Sequence, residues 1–265
     1  MTQVRWWRWV CGTYVVLGIW LFGGPIVLVT MNALLGNPSG GWQELLVQLS
    51  TFIPFFIATP LVWRYLLKRP VTELVRWDGS VRWGRIGYGF SVWFGLSALS
   101  SGASFALSPD AYELTFSLSA FLPFLLVAVL LLPIQTTAEE FFFRGWLIRW
   151  AERRPKPVIV FISGAVFALP HIGNPEAQGH ELAALAAWFV LGAGWAYVSV
   201  RDRGIELAIG AHLANNLFAI LFVAYDNAAL PTSAVVTTPE LNIDGTAIAI
   251  AVLMALFILL TRPRT

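Results

Sequence analysis

The chain has 265 residues, 57% of them hydrophobic and 12% charged, with a formal net charge of +2. A soluble domain carries about 25% charge; the deficit here, in long uncharged runs, excludes that class and predicts an all-α, polytopic membrane helical bundle. A single cysteine, Cys11, excludes a disulfide framework and a cysteine-held zinc.

Hydropathy predicts about eight transmembrane helices in one membrane-embedded domain, 1–265, at about 9–34, 45–67, 86–107, 118–149, 157–173, 181–200, 204–225 and 246–261. The first follows Arg5 and Arg8 as a signal peptide would, but its apolar run is too long for one and reads as a retained helix. Gly24-Pro25 predicts a kink in it. The fourth run exceeds a straight crossing of a ~30 Å hydrocarbon core and carries Pro133, which predicts a bend. The loop 68–85 is partly amphipathic, with Val71, Leu74 and Val75 on one helical face. It reads either as a segment lying in the headgroup region or as an ordinary basic loop. Asn227 to Thr246 reads as the longest loop on the opposite side, and as irregular.

Charge gives the orientation. Arg5, Arg8, Arg64, Lys68, Arg69, Arg76, Arg82, Arg85, Arg149, Arg153, Arg154, Lys156, Arg201, Arg203, Arg262 and Arg264 all fall on one side of this threading. The alternate loops carry only acids: Glu44, Asp110, Glu113, Glu176, Glu181, Asp226, Glu240 and Asp244. The positive-inside rule predicts a multi-pass protein of the plasma membrane with both termini cytoplasmic.

Against this apolar background stand Glu139, Glu140 and Arg144. A charge at bilayer depth costs about 2.5–3.5 kcal/mol on insertion scales, so such residues are rare and usually functional. On a helix Glu140 and Arg144 share a face and pair, whereas Glu139 points about 100° away without a local cationic partner. The other polar groups within the spans are His171, after Pro170, and His212 with Asn216, four apart on the seventh span. Spans four and five meet at Arg154-Pro155-Lys156-Pro157, and Glu139 and His171 are about equally far from that turn. At 1.5 Å per residue, Glu139 lies about 15 Å and His212 about 13 Å inside the basic face. Carboxylate, imidazoles and amide therefore converge at one depth, in a polar cavity expected to open to the cytoplasmic side. Such a set suits hydrolysis. Small residues, among them Gly164, Gly192 and Gly210, let the helices approach closely. No serine nucleophile motif, intramembrane aspartate pair, phosphate-binding loop or nucleic-acid signature is present, and His180-Glu181 lacks a second histidine where Ala184 stands.

Glu139-Glu140-x-x-x-Arg144, Phe167-x-x-x-His171 and His212-x-x-x-Asn216, in that order on successive spans, resemble the CAAX protease and bacteriocin-processing (Abi) family of intramembrane proteases, which includes the type II CAAX prenyl endopeptidases. The resemblance covers about 136–220, within an expected catalytic core of about 118–225. It implies peptide hydrolysis within the membrane, on a membrane-associated peptide or protein substrate. Glu139 and His171 would activate water, and His212 and Asn216 would hold the oxyanion. A zinc ion is also compatible with it: Glu139, His171 and His212 would form the ligand set, with Glu140 as base. The contrasting expectation is a non-catalytic membrane protein, as an immunity or scaffold factor or a transporter, for which the mixed set of two histidines, an asparagine and a free glutamate is less suited.

Overall fold

The computed structural model describes residues 4–238 and 242–262. Glu240 and Arg264, counted above among the loop charges, lie outside the described residues. Five helices are long and apolar enough to cross a membrane: α1 (Trp6–Leu35), α2 (Gly41–Tyr65), α3 (Trp83–Leu107), α4 (Leu118–Trp150) and α6 (Glu181–Asp202). Three further apolar helices are shorter: α5 (Lys156–His171), α7 (Glu206–Leu221) and α8 (Gly245–Leu260). The chain is an all-α polytopic bundle.

The outward faces are made of large apolar side chains, among them Phe22, Ile26 and Val29 on α1, Leu99 on α3, Leu126 and Leu130 on α4, and Ile248 on α8, all exposed. A contiguous apolar surface of this extent is costly in water and natural in lipid. In α1, a π-helical stretch, Ile19–Gly23, ends at Gly24-Pro25, where the sequence predicts a kink. α4 runs through Pro123 and Pro133 and turns π-helical at Phe141–Trp146 before its last turn.

One end of the bundle is a network of arginines. Arg82 pairs with buried Glu206 at 2.9 Å, and Arg85 and Arg201 both pair with Asp202. Arg76 donates to the Asp202 carbonyl at 2.7 Å, Arg203 pairs with Asp78, and Arg201 reaches the carbonyls of Ile258 and Thr261. The hydrogen bond from Arg203 holds the Asp78 carboxyl below its ordinary range, and the bond to Glu206 raises Arg82. The basic segments after α2, α4, α6 and α8 thus share one end, as the loop charges predict.

Of the two readings of 68–85, neither describes what Thr72–Val75 does: it is a short helix docked under the bundle. Leu74 is fully buried, and its carbonyl packs on Gly145, where a Cβ would come within 2.8 Å. The apolar face is spent on protein rather than on lipid.

At the opposite end, β1 (Glu113–Leu114), β2 (Val223–Tyr225) and β3 (Val236–Thr238) form a small sheet, β3 antiparallel to β1 and parallel to β2. The segment after α7 is therefore ordered by strand pairing where the sequence suggests an irregular loop. Short polar-apolar runs of this kind give no helical or strand period to read.

Two close helix approaches set up the interior. α7 lies against α3 at Gly210, where a Cβ would stand 2.0 Å from the Ile86 carbonyl. α5 and α6 meet where a Cβ on Gly192 would stand 3.0 Å from the Gly164 Cα. Any larger side chain would separate these helices and the groups they carry.

Candidate active site

α4 brings two carboxylates to the interior at the start of its π-helical stretch. Glu140 and Arg144 are both fully buried, and Arg144 Nη1 donates to Glu140 Oε1 at 2.8 Å. Arg144 Nη2 reaches the Gly192 carbonyl at 3.3 Å, across the close contact of α5 with α6. The guanidinium also lies over the Phe167 ring, 4.3 Å from its centroid. The cation is thereby matched on charge, hydrogen bonding and ring face, which a buried arginine requires.

Glu140 has a second partner, from α7. His212 Nδ1 donates to the same Oε1 at 2.8 Å. A carboxylate only accepts, so the Nδ1 proton is fixed and Nε2 is the ring atom turned elsewhere. That atom lies 3.6 Å from Glu139 Oε2. Trp195 stacks on the His212 ring, with centroids 4.6 Å apart and planes 25° apart, and Phe167 meets its edge. His171 is held in the same manner by a different acceptor: its Nδ1 donates to the Phe167 carbonyl at 2.9 Å, leaving Nε2 as the free acceptor. Trp188 covers its ring at 5.2 Å.

Glu139 lies at the end of a directed chain of hydrogen bonds. Trp93 Nε1 donates to Asn215 Oδ1 at 3.3 Å, and Asn215 Nδ2 to Asn216 Oδ1 at 3.1 Å. Asn216 Nδ2 donates to Gln135 Oε1 at 3.0 Å, and Gln135 Nε2 to Glu139 Oε1 at 2.6 Å. An indole only donates and a carboxylate only accepts, so the two ends dictate the orientation of the three amides between them.

Glu139, His171, His212 and Asn216 line one cavity of about 390 Å³. Glu140 and Arg144 do not reach it; they stand behind His212. Gln135, Asn215, Trp188 and Trp195 also line the cavity, and the sequence reading missed all four. Two had a readable signal: Gln135 is one turn before Glu139, and Asn215 adjoins Asn216.

The cavity does not open toward the basic end, as depth counting suggests. Its far wall is made of Asn174 and Glu176 from the α5–α6 connection and of Tyr225 to Thr232 after α7, all at the end away from the arginine network. The reason is helix length: α5 and α7 both start at the basic end and stop after about 24 Å, short of a ~30 Å core, so the space beyond their ends is free. On the basic side the floor is closed by Phe143, Arg144, Trp146 and Trp195, all buried.

The donor set does not fit the zinc ion considered above. No three His, Cys, Asp or Glu side chains among the described residues are grouped to hold a metal. Glu140, the base in that scheme, is turned away from the cavity with Arg144 and His212 on one oxygen.

Buried carboxylate, imidazoles and amides around a water-sized cavity inside an apolar helix bundle define a membrane-embedded hydrolase of the peptidase type. A family model described as Rce1-like, type II CAAX prenyl endopeptidase, matches residues 117–218. A Bacillus subtilis (strain 168) protein described as uncharacterized protein YyaK is 31% identical over 236 residues, 83% of this chain and 79% of the relative. The chain belongs to the Rce1-like family of type II CAAX prenyl endopeptidases. No solved structure matches it.

Proposed function

We propose that the protein is an intramembrane endopeptidase that cleaves a membrane-associated polypeptide with a water activated by Glu139, without a metal. The carrying observation is the common cavity: Glu139, His171, His212 and Asn216 come from three helices and face one space. Glu139 Oε1 is held by Gln135, while Oε2 has no hydrogen-bond partner and is free to take a proton. His171 Nε2, an acceptor, orients the same water.

The water oxygen attacks the scissile carbonyl carbon as its proton passes to Glu139. The carbonyl oxygen becomes an oxyanion, within reach of the second amide proton of Asn216 and of His212 Nε2. For His212 to donate there, its ring carries both protons, placed between Glu140 Oε1 and Glu139 Oε2. When the C–N bond breaks, Glu139 returns the proton to the leaving amine. Donors aimed at the developing charge in a dry site are worth about 10²–10³ in rate each.

The basic end is read as cytoplasmic, with eight crossings and both termini inside, from the positive-inside rule. Purified protein in lipid, incubated with a library of apolar internally quenched peptides, tests the activity. Cleavage by the wild type and none by Glu139→Gln supports it. Peptide binding without cleavage by the wild type would point to a non-catalytic role.

A further inference from the structure

The direction of the cavity bears on its substrates. Two sets of observations on the structure are independent of the chemistry. First, the arginine network joins the segments after α2, α4, α6 and α8 at one end, with Arg76, Arg82, Arg85, Arg149, Arg201 and Arg203 all engaged there. A one-sided cluster of this kind stays on the cytoplasmic face during insertion, because translocating many arginines is unfavourable. Second, the cavity is walled at the opposite end by Asn174, Glu176 and Tyr225 to Thr232, beyond the ends of the short helices α5 and α7. Toward the arginine end it is shut by Arg144, Trp146 and Trp195, each fully buried.

We infer that the cavity is entered from the extracytoplasmic face, and that its substrates are polypeptide segments presented at the outer surface of the membrane rather than cytoplasmic prenylated tails.

The wall chemistry agrees with an internal bond as the target. Among the described residues that line the cavity there is no lysine or arginine to neutralise a free C-terminal carboxylate. The charged group on the outer wall is itself a carboxylate: Glu176 accepts from Asn174 at 3.0 Å through Oε1, and its Oε2 is buried without a protein partner. Beside it, burial and the Glu176 charge push the Tyr225 hydroxyl above its ordinary range, so it remains a neutral donor. A chain terminus would meet like charge there, whereas an apolar or basic stretch would not. The remaining wall, with Trp20, Leu49, Phe52 and Leu230, suits apolar side chains.

The substrate half of this inference rests on the peptidase reading; the direction of the mouth does not. The test is cysteine labelling in a Cys11→Ser background, with a bulky, charged, membrane-impermeant maleimide. Thr232→Cys reports the cavity wall, and Arg153→Cys, in the exposed turn between α4 and α5, reports the basic end. In intact cells Thr232→Cys should react at least about tenfold faster than Arg153→Cys, and in inside-out vesicles the order should reverse. Labelling of Thr232→Cys from the cytoplasmic face alone, or from neither face, overturns the inference. In sealed vesicles of known orientation, a quenched apolar peptide should be cut only when it is supplied on the Thr232 side. Cleavage only on the Arg153 side overturns the substrate half. If no peptide is cut from either side, the peptidase reading fails, and the labelling still decides the mouth.

Discussion

Gln135 Nε2 donates to Glu139 Oε1 at 2.6 Å, one helical turn apart on α4, while the Gln135 oxygen accepts from Asn216 at 3.0 Å. One amide thus joins the candidate base to the candidate oxyanion donor and sets the distance between them. Gln135→Leu keeps the bulk and removes both bonds. It should lower kcat by about 10–10²-fold with little change in KM, because misplacing a reacting group costs rate rather than binding. Steady-state kinetics together with a melting curve checks this. Activity within twofold of wild type would mean that the chain of amides is packing alone.

Glu139→Gln keeps the acceptor for Gln135 and loses the proton acceptor that faces the cavity. Turnover should fall by about 10²–10⁴-fold with the fold retained. Single-turnover cleavage and thermal stability in the same lipid are the measurements. A variant with near-normal turnover would assign the base to His171.

Glu140 and Arg144 should behave differently. Glu140 does not reach the cavity and holds Arg144 and His212 through a single oxygen. Glu140→Gln leaves a buried arginine without its counter-charge, which should cost about 3–5 kcal/mol of stability. Adding Arg144→Gln should restore part of that loss, since the stranded cation is then gone. Melting temperatures of the two variants decide the point. A single variant that is fully stable yet inactive would make Glu140 part of the chemistry.

Chelation tests the mode of water activation. With no group of three suitable donors among the described residues, millimolar 1,10-phenanthroline should leave peptide hydrolysis within twofold. A tenfold loss that Zn²⁺ restores would show that a metal activates the water.

The class of the protein and the ends of its bundle follow from the sequence alone. Long uncharged runs can only be helices in lipid, and one-sided basic loops put α2–α3, α4–α5, α6–α7 and the chain end together. The i,i+4 pairing of Glu140 with Arg144 was legible too, because helical geometry is local and the distance came out at 2.8 Å. So was the meeting of Glu139, His171, His212 and Asn216, since rise per residue converts sequence distance into depth. The tertiary structure decided what no local rule encodes. It gave Glu140 a second partner 72 residues away in His212, set Trp195 against that ring, and turned the 72–75 helix onto Gly145 instead of lipid. It also decided the direction of the cavity. Depth counting from the basic loops measures how far a residue lies from one face, but it is blind to which side is filled. That depends on α5 and α7 stopping short and on Trp146, Arg144 and Trp195 packing tightly beneath the site, which is a property of how the helices fit together.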